Sequence, residues 1–242
     1  MPKPRRALTA RARTVEVDVR LERLFPGATA TLCALDRRSP FELIVATVLS
    51  AQCTDEQVNR VTPTLFAAYP TPAALAGAER DTLEAIIRPT GFFHSKARHL
   101  QALAAALVER FDGEVPRDLD ALCSLPGVGR KTANVVRSVA FDEPGLPVDT
   151  HVMRLSHRLD LSRGRDPVAV ERSLCRALAP ERWGGFSVRM ILHGRATCTA
   201  HGLRFPADSC GLCFASSPRS RIRTALAETR CTSSCACARL AP

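Results

Sequence analysis

Leu122-Cys123-Ser124-Leu125-Pro126-Gly127-Val128-Gly129-Arg130-Lys131-Thr132-Ala133-Asn134 is the stretch that decides the fold. A short helix over about Asp118–Ser124 meets a Pro-Gly-x-Gly turn, and a second helix begins near Arg130. Gly127 and Gly129 permit backbone angles that a side chain forbids. They also let the free amides at the second helix's start face outward, where the helix dipole favours an anion. A nucleic-acid phosphate fits such a place without any base being read. A plain helix–turn–helix corner is the alternative. A nucleotide P-loop is a poorer fit, because it needs a longer glycine loop after a strand and here a helix precedes.

Apolar spacing reads helical outward from this turn. Phe41, Ile44, Val45, Val48 and Leu49 fall on one face, as do Leu100, Leu103, Ala104, Leu107 and Phe111, and Val152, Leu155 and Leu159 repeat the pattern. Period-two alternation is absent. Prolines at 70, 89, 116, 126, 144, 147 and 180 cut the 242 residues into helices of ordinary length, which predicts an all-α protein. No run of eighteen uncharged apolar residues offers a membrane span. The basic opening is followed by no apolar block, which speaks against a secretory leader.

The net charge of +10 sits mainly at the two ends. Residues 1–14 carry five basic and no acidic groups, residues 214–242 carry five Arg and one Glu, and the stretch between is close to neutral. Residues 1–14 lack a hydrophobic face and are expected to be disordered. Residues 214–242, rich in Ala, Arg, Ser and Cys, form an irregular basic tail. Either end could meet phosphates or simply aid solubility.

Only three of the 34 basic residues are lysines: Lys3, Lys96 and Lys131. In a chain so tilted to arginine, a lysine can mark a place that requires an amine. Guanidinium cannot lose its proton near neutrality or form a Schiff base.

With these residues in view, about residues 20–213 resemble the endonuclease III family, bifunctional DNA glycosylases of the helix-hairpin-helix superfamily. The matching motifs are Ser39-Pro-Phe-Glu-Leu-Ile, Leu49-Ser-Ala-Gln-Cys-Thr-Asp55, Gly91-Phe-Phe-His-Ser-Lys-Ala97, Leu125 through Val136, Val148-Asp149-Thr150-His151-Val152 and Ile191-Leu-His-Gly-Arg195. The resemblance implies two helical lobes around a DNA cleft: a six-helix lobe over 35–143 carrying the hairpin, and a second lobe from 15–34 with 144–213. It implies a cytoplasmic, nucleoid-associated monomer that binds damaged or abasic double-stranded DNA.

By the same resemblance Lys131 attacks C1′ of a flipped nucleotide, and the Schiff base allows β-elimination on the 3′ side. Asp149 resembles the catalytic carboxylate, and capping the following helix is its other possible role. Gln52 and Phe92 resemble the pair that fills the gap left by the flipped base, although the family commonly has an aliphatic residue at the second position. Core packing is the alternative for Phe92. Gly127, Gly129, Arg130 and His151 complete the expected DNA-contacting set. Asp55 and His151 match polar positions near the pocket, with an N-cap and a structural histidine as their alternatives.

The family also holds a [4Fe–4S] cluster on four cysteines with six, two and five residues between them. Here Cys198, Cys210 and Cys213 have gaps of eleven and two, and Arg219 stands where the last ligand would fall. Three readings stay open: a fourth ligand from Cys231, Cys235, Cys237 or another residue, a lost cluster, or a C-terminal stretch resembling out-of-frame translation. Cys33, Cys53, Cys123 and Cys175 read as buried small hydrophobes. The functional rivals are an adenine-specific mismatch glycosylase and a non-catalytic or weakly active DNA-binding paralogue. The first normally lacks the lysine and carries a further C-terminal domain.

Overall fold

Most helix starts are set by a short polar side chain that accepts a backbone N–H, each worth about 1 kcal/mol. In the computed structural model, which describes residues 8–200, 202, 203 and 212, Thr9 caps α1 (Ala10–Leu24) in this way. After the short α2 (Thr29–Leu32), Ser39 caps α3 (Pro40–Leu49) and Thr54 caps α4 (Asp55–Ala68). Thr71 caps α5 (Pro72–Ala76) and Glu79 caps α6 (Arg80–Ile87). A 3-10 turn, Arg88–Thr90, leads into α7 (Phe93–Phe111). Asp118 caps α8 (Leu119–Cys123), Gly129 opens α9 (Arg130–Ala140) without a side-chain cap, and Asp149 caps α10 (Thr150–Arg158). Asp166 caps α11 (Pro167–Ala177), and α12 (Trp183–Ala196) follows a second 3-10 turn.

The all-α expectation holds, with one addition. Cys198–Thr199 (β1) and Gly202–Leu203 (β2) pair antiparallel. Two residues per strand are too few to leave an alternating pattern in the sequence.

Two hydrophobic cores define two helical lobes. The first runs from Leu35 to Val139 and is filled by side chains such as Leu43, Ile44, Leu65, Leu83, Leu100 and Leu107. The second joins Val17 and Leu21 of α1 to Leu146, Val152, Leu155, Leu174, Phe186, Met190 and Leu212. Helix α12 packs on α1, α2, α9 and α10, so it ties the lobes together. Gly184 makes that approach possible, since a Cβ there would fall 2.7 Å from Ser138 Cβ on α9.

Disorder through Thr14 was expected, and the structure corrects it. Helix α1 starts at Ala10, and Thr14 is fully buried. Arg13 donates to both the backbone and the carboxylate of Asp160, at 2.8 and 2.7 Å. The buried stripe at Thr14, Val17 and Leu21 is what holds this helix, and it begins within the stretch that looked featureless. Residues 1–7 and 214–242, to which the two tail expectations also apply, lie outside the described residues.

The segment between α9 and α10 crosses α9 at backbone contact. A Cβ on Gly145 would sit 2.6 Å from the carbonyl oxygen of Asn134. Gly145→Ala is therefore expected to cost about 1–3 kcal/mol, because two backbones must separate. Thermal melting should register this as a Tm lower by about 2–4 °C per kcal/mol. An unchanged Tm would mean that the crossing has slack.

Candidate active site and DNA interface

Each part of the hairpin has a local cause. Gly127 has φ +76° and faces α7, where an added Cβ would come 3.0 Å from His99 Cβ. Val128 is buried in the first core and anchors the turn from below. Gly129 offers no capping side chain, a Cβ there would meet nothing within 4 Å, and the first turn of α9 contains no acidic residue. The amides of α9's first turn thus open toward solvent with the positive end of the helix dipole uncompensated, an arrangement suited to a phosphate.

Lys131 is the second residue of α9 and is exposed, while Ala133 and Val136 bury the opposite face. Arg130 beside it does not stand free. Its guanidinium is gripped by Glu171 of α11 through two bonds of 2.9 and 2.8 Å, a contact between the lobes that no local pattern announced.

The segment that leads to Asp149 makes the backbone contact just described, at Asn134, one helical turn beyond Lys131. Leu146 and Val148 are buried in the second core, and Ser187 donates its hydroxyl hydrogen to Pro147 O. These contacts fix the approach to Asp149. Its Oδ1 accepts from Val152 N at 2.8 Å as the cap of α10. Among the described residues its Oδ2 has no hydrogen-bond partner, so capping leaves one carboxylate oxygen for other work.

Gln52 and Phe92 share an uncommon backbone. Both are exposed, and both take left-handed φ values, +53° and +50°, without being glycine. Such conformations cost on the order of 1–3 kcal/mol each and persist only where the surroundings impose them. Phe92 is 65% exposed, which removes core packing as its role.

Asp55 is not the cap of α4, because Thr54 is. It pairs with Arg195 of α12 at 2.8 Å. His151 is half-buried and receives a hydrogen bond of 3.0 Å from Arg154 at Nδ1. Burial lowers its pKa, the cationic Arg154 and Arg195 add to that, and Asp149 opposes it.

Cys198 is buried, and its Sγ accepts from Arg158 Nη1 at 3.0 Å. Arg154 and Arg158, which the sequence reading passed over, also hold the carbonyl oxygens of Cys198 and Thr199. Cys210 and Cys213 lie outside the described residues, although Leu212 between them is buried in the second core. Among the described residues no three metal-ligating side chains converge. Cys33, Cys53, Cys123 and Cys175 are half-buried at the edges of the cores, less enclosed than expected; Cys33 and Cys53 lie in the connections after α2 and α3, off the helices, and Cys123 ends α8.

The chain belongs to the HhH-GPD superfamily of base excision DNA repair proteins, whose pattern matches residues 45–180. It is 49% identical over 197 residues to Endonuclease III of Synechocystis sp., covering 81% of this chain and 89% of that protein. It is 39% identical to Endonuclease III of Escherichia coli over 204 residues, 84% of this chain and 93% of that one. A solved non-covalent Endonuclease III–DNA complex superposes with a TM-score of 0.81 at 43% identity, covering 90% of this chain and all of that one. A trapped Endonuclease III–DNA covalent intermediate gives 0.79 at 42% identity, with the same coverage.

Proposed function

We propose that this chain is a base-excision repair enzyme that releases oxidised pyrimidines from duplex DNA and nicks the resulting abasic strand, with Lys131 as nucleophile and Asp149 as its carboxylate partner. The observation that carries the reading is the crossing of Gly145 over Asn134, which ties the approach to Asp149 to the helix bearing Lys131. The likeness to a trapped covalent Endonuclease III–DNA intermediate supports it.

The chemistry follows from the residue types. The free amine of Lys131 forms a bond to C1′ as the C1′–N glycosidic bond breaks and the base leaves with the electron pair. Asp149 accepts the proton that the ammonium must lose, or stabilises positive charge growing at C1′. The nitrogen lone pair then closes the C1′=N imine as the C1′–O4′ ring bond breaks and O4′ takes up a proton, and the imine acidifies the C2′ hydrogen. Its removal expels the 3′ phosphate, and water releases the unsaturated sugar from Lys131.

Several residues serve the duplex. The amides after Gly127 and Gly129 hold a phosphate, with Arg130 and His151 alongside. Gln52 and Phe92 enter the space vacated by the extruded nucleotide. The lobes of this reading are 35–143 and, with the start moved to α1, 10–34 with 144–213, with DNA between them. Among the described residues no helix is long and apolar enough to cross a membrane, and the reading places the enzyme on chromosomal DNA in the cytoplasm.

A [4Fe–4S] cluster belongs to the reading in part. Cys198 beside the cationic Arg158 fits one thiolate ligand, and Cys210 and Cys213, the other two by sequence, lie outside the described residues. The fourth is not at the family's spacing. When bound, a cluster would crosslink this segment to the lobe. Iron and sulfide analysis of anaerobically purified protein tests this, and absence of iron removes the cluster.

Incubation with thymine-glycol duplex DNA under borohydride tests the enzymatic reading. Base release together with covalent capture is expected. Tight DNA binding with neither would leave only a non-catalytic paralogue.

A further inference from the structure

We propose that Lys96 is a positioning residue for base extrusion, a single buried ammonium that ties the loop carrying Gln52 to the loop carrying Phe92. The proposal rests on the reading of Gln52 and Phe92 as the gap-filling pair and deepens it.

Lys96 lies in the first turn of α7 and is 4% exposed. Its Nζ donates to Leu49 O and to Thr90 O, both at 2.8 Å. Leu49 is the last residue of α3, three before Gln52. Thr90 ends the 3-10 turn, two before Phe92. Neither carbonyl has another hydrogen-bond partner among the described residues. The backbone amide of Lys96 adds a bond of 3.0 Å to Phe92 O.

Two chain reversals that are far apart in sequence therefore end on one cation. Each displays at its tip an exposed non-glycine residue in left-handed backbone, Gln52 at φ +53° and Phe92 at φ +50°. Helix-terminal carbonyls favour a positive charge. A compact ammonium meets both carbonyls with a single nitrogen, whereas a guanidinium spreads its donors over three. This gives a reason for lysine here in a chain that otherwise uses arginine. Burial pushes the Lys96 pKa down, with the nearby Cys53 thiol acting the other way, and the two acceptors offset the cost of that burial. With the tie in place both tips stand preset for insertion into the base stack. Without it each tip can relax, and the duplex must be opened by residues that no longer arrive together.

The test compares Lys96→Met, Phe92→Ala and Gln52→Ala with the parent on duplex DNA carrying 2-aminopurine beside a lesion. Single-stranded abasic DNA, which has no stack to open, serves as the reference. Lys96→Met keeps the stem and removes the donors. Its rate of 2-aminopurine fluorescence rise, and its ratio of duplex to single-stranded trapping, are expected to fall on the order of 10- to 100-fold. Phe92→Ala should fall similarly. An equal loss on both substrates in Lys96→Met, or unaltered extrusion while Phe92→Ala is impaired, overturns the role of Lys96. Unaltered extrusion in both Phe92→Ala and Gln52→Ala instead overturns the gap-filling reading, and the tie falls with it. If Lys96→Met does not fold, the lysine ammonium signals of the unsubstituted protein, of which there are three, decide. The Lys96 signal should shift on binding a duplex with a tetrahydrofuran abasic analogue and stay in place with the single strand. No shift overturns the proposal.

Discussion

Lys131→Arg is expected to abolish covalent capture of abasic DNA and to lower base release by several orders of magnitude while leaving the fold intact. The position is exposed on the first turn of α9, so the substitution disturbs no core contact. Its effect on stability should stay within about 0.5 kcal/mol. Arginine keeps the positive charge that meets phosphate, so affinity for undamaged duplex should change little. What it lacks is an amine that can shed a proton near neutrality and form an imine. Borohydride trapping on an abasic duplex reads the first effect, and thermal melting with a binding titration reads the others. Residual trapping at the parental level would show that another amine does the chemistry.

Asp149→Asn should be the next most damaging change, and it separates the two roles of this residue. Asparagine caps helices about as well as aspartate, so the bond from Val152 N at 2.8 Å can persist and the Tm should hold. The negative charge is gone, and single-turnover base release should fall by about 10²- to 10⁴-fold. Asp149→Ala should show the same kinetic loss plus about 0.5–2 kcal/mol of destabilisation from the missing cap. An Asn variant that turns over like the parent would reduce Asp149 to a cap.

The elements most legible beforehand were those whose causes are local. Gly127 had to be glycine for the turn, and it takes φ +76°. Leu100, Leu103, Ala104 and Leu107 of α7 are buried as their spacing implied, with Phe111 partly buried at the end of the stripe. Asp149 does cap α10, and its unpartnered oxygen leaves both roles open.

Tertiary partners were not legible. The grip of Glu171 on Arg130 spans 41 residues, and no periodicity encodes it. The exposure of Phe92 could not be read from an apolar side chain, because it follows from the left-handed backbone at the start of α7. Helix α1 began earlier than expected, since Thr9 caps it and Arg13 reaches Asp160, which is distant in sequence. The scarcity of lysine pointed to Lys131 and equally to Lys96, yet only the fold revealed that the second is enclosed between two carbonyls.

One measurement tests the assignment of the nucleophile most directly: borohydride trapping on an abasic duplex, followed by nuclease and protease digestion and mass spectrometry of the adduct. With lysines only at positions 3, 96 and 131, the modified peptide identifies the nucleophile without ambiguity. The sugar remnant is expected on Lys131. An adduct on Lys3, on Lys96 or on the N-terminal amine, with Lys131 unmodified, would contradict it.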